Sequence, residues 1–364
     1  MLKILGKVLL SVAAFIASVY IALLFGLKYG NSYLVFVLLP LLLIAIWTKL
    51  KLRFRVGIAA IALLFVLCSD IGMELYRSHL NEITIKDSLN LHDYAPFSNT
   101  TKAISLDEPS TFRFSGEIPR MDGATALYPV YSAFVKATCA NDDTIRCSTT
   151  SGAYRSLIDG EIDIIFVAGA SDDQLKYAES NGVELKFTPI GKEAFVFFVN
   201  KKNPVNNLSS DDIRKIYSGQ ATNWRDVGGK NKKILAFQRS KNSGSQTMLE
   251  KIMGNVHIMD APSEDVQDVM SGMIEVVANY KNRDNAIGYS FRFFSTEMVN
   301  NSKIKLLSID GVSPTYENIT NDTYPFAAEF YAVTTSAEFD PFIDWILSAQ
   351  GQSIIEKTGY TPIK

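Results

Sequence analysis

Ile162-Asp163-Ile164-Ile165-Phe166-Val167, then Ser171–Ser180, then Glu193-Ala194-Phe195-Val196-Phe197-Phe198-Val199-Asn200 is the stretch whose reading decides the fold. Its two ends are short, nearly continuous apolar runs rich in Ile, Val and Phe, which read as buried strands. Its middle opens on a Ser suited to cap a helix. Strand, helix, strand is the unit of an α/β fold. The same alternation extends in both directions. Phe112–Ser115, Lys233–Phe237, Ala286–Phe291 and Phe330–Val333 read as further strands. Thr125–Thr138, Ala153–Ile158, Ser209–Tyr217, Gln246–Met253 and Pro341–Lys357 read as helices. About 250 residues of such alternation predict mostly parallel sheets, and a length that suits two lobes better than one.

Upstream the character changes. The whole chain has 364 residues, 47% hydrophobic and 20% charged, with a net charge of −2. Those averages exclude a disordered chain and give no global attraction to nucleic acid. They also conceal a split. Residues 1–69 hold no Asp or Glu and seven cations, so the remainder carries 29 cations against 38 anions, a net of −9. The 20 residues between Lys7 and Lys28 are uncharged, enough to cross a bilayer as a helix. Tyr29–Thr48 is a second uncharged stretch, with Pro40 inside it, and Val56–Ser69 a third, shorter one. Lys49, Lys51, Arg53 and Arg55 crowd the loop between the second and third, and the positive-inside rule places that loop in the cytoplasm. The expectation is a membrane domain over 1–73 with three transmembrane helices, a linker over 74–110, and an extracytoplasmic body over 111–364.

Outside the cytoplasm Cys139 and Cys147, eight positions apart, can close a disulfide; two free buried thiols are the alternative. His79, His92 and His257 are scattered and no Cys-x-x-Cys occurs, so neither a metal site nor a cofactor is expected. No Gly-x-Ser-x-Gly and no Walker loop is present, which argues against an enzyme.

Three Ser/Thr/Gly segments precede helices: Asp122–Ala126, Thr149–Gly152 and Arg239–Thr247. Each offers backbone N–H groups at a helix start and a hydroxyl donor. Arg239 adds a forked cation suited to phosphate or carboxylate. Three such starts and one Arg make an anion trap without a basic surface, although any single segment is explained as a helix cap.

These segments and several other stretches resemble the phosphate-binding proteins of bacterial ABC importers, the extracytoplasmic solute receptors of the PstS type. The resemblance spans about 111–364. It is carried by Asp122-Gly-Ala-Thr-Ala-Leu-Tyr-Pro129, Pro204–Ser209, the Tyr- and Trp-containing block Ile216–Gly229, Arg239–Thr247, Asn285-Ala-Ile-Gly-Tyr289, and Phe342–Gly351 with Thr358–Pro362. It implies a two-lobed periplasmic-binding-protein-like (type II) fold with a hinge. Lobe 1 would span about 111–192 and 324–364, and lobe 2 about 193–323. It implies capture of phosphate or a related oxyanion for ABC permease subunits. By position it assigns the ligand contacts to Thr125 and Ala126, to Thr150, Ser151 and Gly152, and to Arg239, Ser243, Gly244 and Ser245. Family members carry an Asp just after the strand matching Ile162–Val167, where an ungapped reading finds Ala168 or Gly169 here; Asp172 lies nearby in what reads as a helix start. That departure and the multi-span head leave a second reading, a signalling or assembly module that kept the fold without the ligand.

Overall fold

The computed structural model describes residues 90–140, 144–261 and 284–363, with short pieces at 266–267, 274 and 277. They belong to one compact unit, Asp87–Lys364. The three expected spans lie outside the described residues; among the latter no helix is long and apolar enough to cross a membrane.

Eight strands form the main sheet: β1 (Met121–Gly123), β2 (Ile164–Val167), β3 (Lys186–Asn200), β4 (Leu235–Ala236), β5 (Ala286–Phe291), β6 (Ile304–Leu306), β7 (Ala327–Thr334) and β8 (Thr361–Pro362). Their order is β1-β2-β7-β3-β5-β4, with β6 and β8 also pairing with β3. The expectation of mostly parallel pairing fails. Only β1–β2 and β4–β5 are parallel, while β2–β7, β3–β7, β3–β5, β3–β6 and β3–β8 are antiparallel. The periodicity showed buried strands but carried no information on direction, which long-range pairing decides.

β3 is fifteen residues long, nearly twice the predicted strand, and its C-terminal half is buried throughout. Two hydrophobic cores meet along it. The first gathers α1 (Tyr128–Thr138), α2 (Thr149–Ile158), β1, β2, Ile190 of β3, and the C-terminal helices α6 (Asp340–Ile346) and α7 (Ala349–Thr358). The second gathers Ala194–Val199 of β3, β5, α4 (Ser210–Tyr217), Trp224 and α5 (Gly244–Met253). Within the second, Tyr217 and Trp224 are fully buried, and the Trp224 indole N–H donates to the Asn285 carbonyl at 2.8 Å. Gly219 and Gly228 turn the chain at φ +77° and +83°, which side chains rarely tolerate. These constraints explain why Ile216–Gly229 is so distinctive a block.

The helix α3 (Asp172–Ser180) starts as read, with Ser171 in a reciprocal capping box with Gln174. Elsewhere local signals misled. Phe112–Ser115 is not a strand. Phe112 and Phe114 instead pack on Phe342, at ring separations of 5.8 and 5.1 Å. Pro341–Lys357 is two helices, broken between Ile346 and Ala349. Gly351 permits the fold-back, since a Cβ there would stand 2.3 Å from the Ile346 carbonyl oxygen. Of Lys233–Phe237 only β4 is strand, and the following Gln238–Arg239 forms a separate pair with Val266–Gln267. The linker expectation for 74–110 also fails in its second half. From Asn90 onward the chain is a strap on the body: Lys136 Nζ donates to the Ala103 carbonyl at 2.9 Å, and Gln350 accepts from Thr111 N at 2.8 Å and donates to the Pro109 carbonyl at 3.0 Å. Helix side chains satisfy the backbone of a segment that composition alone read as free.

Where the two cores meet, Glu193 is buried in β3. Its Oε1 accepts from Ala194 N at 2.8 Å, its Oε2 accepts from Phe293 N at 3.1 Å, and Arg292 Nε stands 3.8 Å away. Burial pushes its carboxyl up to about 7, against the pull of Arg292 and the two N–H donors. A raised folded-state value means that the folded chain holds this proton more tightly than the unfolded chain. The stability it contributes is therefore present below about pH 4.5 and lost as pH rises to about 7, a change of about 3 kcal/mol. Denaturant unfolding at pH 4.5 and 7.5 tests this: the wild type should lose about that much more stability over the interval than Glu193→Gln. Parallel pH profiles would refute it.

Candidate anion site at two helix starts

β1 delivers Asp122 and Gly123 to the interior, and a single 3₁₀ turn, Thr125–Leu127, follows. Asp122 is fully buried and organises the next segment. Its Oδ1 accepts from Ser148 N at 2.7 Å, while its Oδ2 accepts from Ser148 Oγ at 2.5 Å and from Arg146 Nε at 3.1 Å. A buried carboxylate is stable only when so paired. This anchor holds the chain into Thr149, whose φ of +70° is strained for a β-branched residue. Thr150 is then buried at the first turn of α2, Gly152 half-buried and Ser151 exposed. A Cβ at Gly152 would stand 2.6 Å from Ser148 Oγ, so this turn requires glycine.

The third segment is built from the second core. Arg239 follows β4 and is only 8% exposed. Its backbone N–H is held by the Tyr289 hydroxyl at 2.8 Å and by Gln246 Oε1 at 3.2 Å, and Tyr289 in turn donates to Gln246 Oε1. Burial raises the Tyr289 hydroxyl pKa well above its usual value, so it stays protonated as a donor. Asn242 adopts φ +65°, a left-handed turn that Asn tolerates, and Ser243 caps α5 by accepting from Gln246 N at 3.3 Å. Gly244 and Ser245 open the helix, both buried, and the Ser245 hydroxyl has no hydrogen-bond partner among the described residues.

The fold brings the second and third segments together. A Cβ on Gly244 would lie 2.8 Å from Thr150 Oγ1, so the starts of α2 and α5, from different cores, abut. Beside them, Ser171 Oγ donates to Asn242 Oδ1 at 3.0 Å, Gln174 Nε2 donates to the Asn242 carbonyl at 3.2 Å, and Lys241 pairs with Asp173 at 2.6 Å. Lys241 holds the Asp173 carboxyl below its ordinary range. The first segment joins through Cys147, whose Sγ lies 3.8 Å from Thr125 Oγ1 and donates to the Gly123 carbonyl at 3.7 Å. Ala126 is buried, and its carbonyl accepts from Tyr360.

One expectation changes. Cys139 and Cys147 are free thiols. Cys139 sits against the Thr138 hydroxyl at 3.7 Å, Cys147 against Gly123 and Thr125, and burial raises both thiols so that they remain protonated. Ala168-Gly169 follow β2 directly, as read, and the carboxylates come three and four residues later. Asp172 stands exposed at the first position of α3, and Asp173 reaches the Lys241–Asn242 turn. Asp122, Ser148, Tyr289 and Gln246 were not picked out as site residues. Asp122 and Tyr289 lay inside quoted stretches, but only the fold reveals what they hold. Among the described residues no group of three or more His, Cys, Asp or Glu could hold a metal ion.

Residues 116–350 match the PBP superfamily domain, well over half of the chain. The chain belongs to the PBP superfamily. Among curated proteins it is similar to the phosphate-binding protein PstS of Borreliella burgdorferi, 24% identical over 258 residues, covering 68% of this chain and 91% of the relative. It is 26% identical to the phosphate-binding protein PstS of Bacillus subtilis over 256 residues, covering 67% and 80%. Two solved structures share the fold. One is a putative phosphate ABC transporter substrate-binding protein with bound phosphate from Clostridium perfringens (TM-score 0.53, 24% identity, 67% of this chain and 98% of that one). The other is an ABC-type phosphate transport receptor from Vibrio cholerae (TM-score 0.51, 22% identity, 66% and 98%). Nearly whole solved chains thus correspond to the body, which has both of its cores within the one compact unit Asp87–Lys364.

The Tyr289–Gln246–Arg239 network predicts that Tyr289→Phe destabilises the body by about 1–2 kcal/mol, because a buried acceptor and donor lose a partner. Chemical denaturation measures it; an unchanged midpoint would show that the network carries no weight.

Proposed function

We propose that the body is an extracytoplasmic solute-binding protein that captures phosphate and delivers it to the permease subunits of an ABC importer. The observation that carries this reading is the meeting of Thr150 with the Gly244–Ser245 turn beside the buried Arg239. The Ser245 hydroxyl there has no partner among the described residues. The PstS relatives named above support the ligand class.

In this reading binding replaces catalysis. Helix starts at α2 and α5 supply N–H donors and dipoles, Thr125, Thr150 and Ser245 supply hydroxyls, and Arg239 supplies the balancing charge. Ala126, Ser151, Gly152, Ser243 and Gly244 contribute backbone N–H groups. The ligand touches residues from both cores, and that differential contact favours the closed arrangement. Asp172 takes the role of the family carboxylate. Hydrogen phosphate carries a proton that such an acceptor can bind, whereas sulfate carries none at neutral pH. Residues 1–73 tie the body to the membrane from its outer side, as the uncharged stretches and the Lys49–Arg55 cluster indicate.

Titration calorimetry on residues 87–364 with phosphate and sulfate tests the proposal. The wild type should bind phosphate in preference. Arg239→Ala should weaken phosphate by about a hundredfold or more, as removal of a buried charge partner does. Asp172→Asn should narrow the preference for phosphate over sulfate. No heat with either anion would overturn the reading.

A further inference from the structure

Although the residues after 69 carry a net charge of −9, one end of the second core is strongly basic. Three loops converge there. β3 ends at Asn200 opposite Ile304 of β6, and Lys201 N donates to the Lys303 carbonyl at 2.8 Å, so Lys201, Lys202 and Lys303 share an edge. Lys305 of β6 donates to Asn206 Oδ1, which links that edge to the 203–206 loop. That loop touches the next, because a Cβ on Gly229 would lie 3.0 Å from Val205 Cγ2. Gly229 begins the Gly-Lys-Asn-Lys-Lys run, and the Lys232 carbonyl accepts from Trp224 N at 2.9 Å, pinning the run to the same end. Lys201, Lys202, Lys230, Lys232, Lys233 and Lys303 are all exposed. The described carboxylates placed among these loops are Asp226, which accepts from Asn223 N, and Asp284, which pairs with Lys232 at 2.6 Å.

The character of the patch narrows what it can hold. Among the described residues its cations are lysines, with Arg225 alone offering a planar fork, so diffuse attraction is favoured over bidentate readout. The large exposed hydrophobic side chains among the described residues are Phe97, Leu175, Tyr177 and Tyr316, and none lies on these loops. Among the described residues these loops present neither an aromatic platform for bases nor an apolar anchor for a peptide. A flat array of phosphate headgroups needs neither. Attraction of a polybasic segment to an anionic lipid surface grows with the number of Lys and Arg it presents. A chain whose first 73 residues read as membrane spans would hold the patch at high effective concentration near a bilayer.

We propose that this lysine-rich end is a docking surface for an anionic lipid bilayer, distinct from the anion site at α2 and α5. The body uses it to lie on the membrane to which residues 1–73 tie it, so the inference rests on that tether for its setting but not for its test. The test is co-sedimentation of residues 87–364 with vesicles of phosphatidylcholine alone or mixed with phosphatidylglycerol. The body should sediment with the mixed vesicles only, and about 1 M salt should release it, since the Debye length then falls to about 3 Å. Lys201→Glu with Lys230→Glu and Lys233→Glu should weaken the association by about tenfold or more, and the three Lys→Arg replacements should retain it. Arg239→Ala, placed to abolish phosphate binding, should sediment like the wild type, which separates failure of this inference from failure of the proposed function. Absence of sedimentation, even if an acidic protein copurifies, overturns the proposal. So does equal association with neutral vesicles, or full association of the charge-reversed body.

Discussion

The structure depends on β3. A single strand of fifteen residues gives its first half to one core and its second half to the other. Five other strands pair with it or with its partner β7, so the two cores share their hydrogen-bond ladder although their side chains pack separately. A strand resists stretching but tolerates twist and bend. Glu193 lies near the crossing point, where the apolar side chains of either core end and a buried carboxyl is held by backbone donors and Arg292. At Gly191, two residues away, the Phe330 ring packs so close that a Cβ would stand 2.4 Å from it.

From this arrangement the candidate site follows. α2 rises from the first core and α5 from the second, and their N-terminal turns abut at Thr150 and Gly244. A carboxylate in one core, Asp122, and a tyrosine in the other, Tyr289, each immobilise a loop that ends in such a helix. Two residues with positive φ, Thr149 and Asn242, flank the two starts, Thr149 as the first residue of α2 and Asn242 just before the Ser243 cap of α5. Such conformations persist only where surrounding bonds over-determine them. An acidic body has no broad positive field to gather anions at this place, so affinity must come from a few aimed donors. The lysines are concentrated elsewhere, at the far end of β3, where they do a different electrostatic task.

Much of the chemistry was legible in the chain. Helix starts at Ser171 and Ser209 were recognisable because capping is local: a hydroxyl three residues before an N–H needs no tertiary partner; the helix read from Gln246 begins two residues earlier, capped by Ser243. The apolar run Phe195–Val199 was recognisable because a strand buried on both faces has no polar positions. What was not legible involved partners distant in sequence. Phe112 and Phe114 alternate as a strand would, yet they meet Phe342 rather than a neighbouring strand. The run after Asp340 has helical residues throughout, yet Gly351 lets it fold back on Ile346. Cys139 and Cys147 are close in sequence, yet they face different walls.

The amino-acid sequence by itself determined the charge split, the capped helices, the buried strand segments and the residue types able to grip an oxyanion. These rest on composition and on interactions within a few residues. Only the tertiary structure decided that the sheet is mixed, that residues from Asn90 strap the body, and that Thr150 meets Gly244 while Tyr289 holds Arg239. The reason is physical: strand direction and the meeting of two helix starts depend on contacts across some 50 to 100 residues of intervening chain, where local propensity has no say.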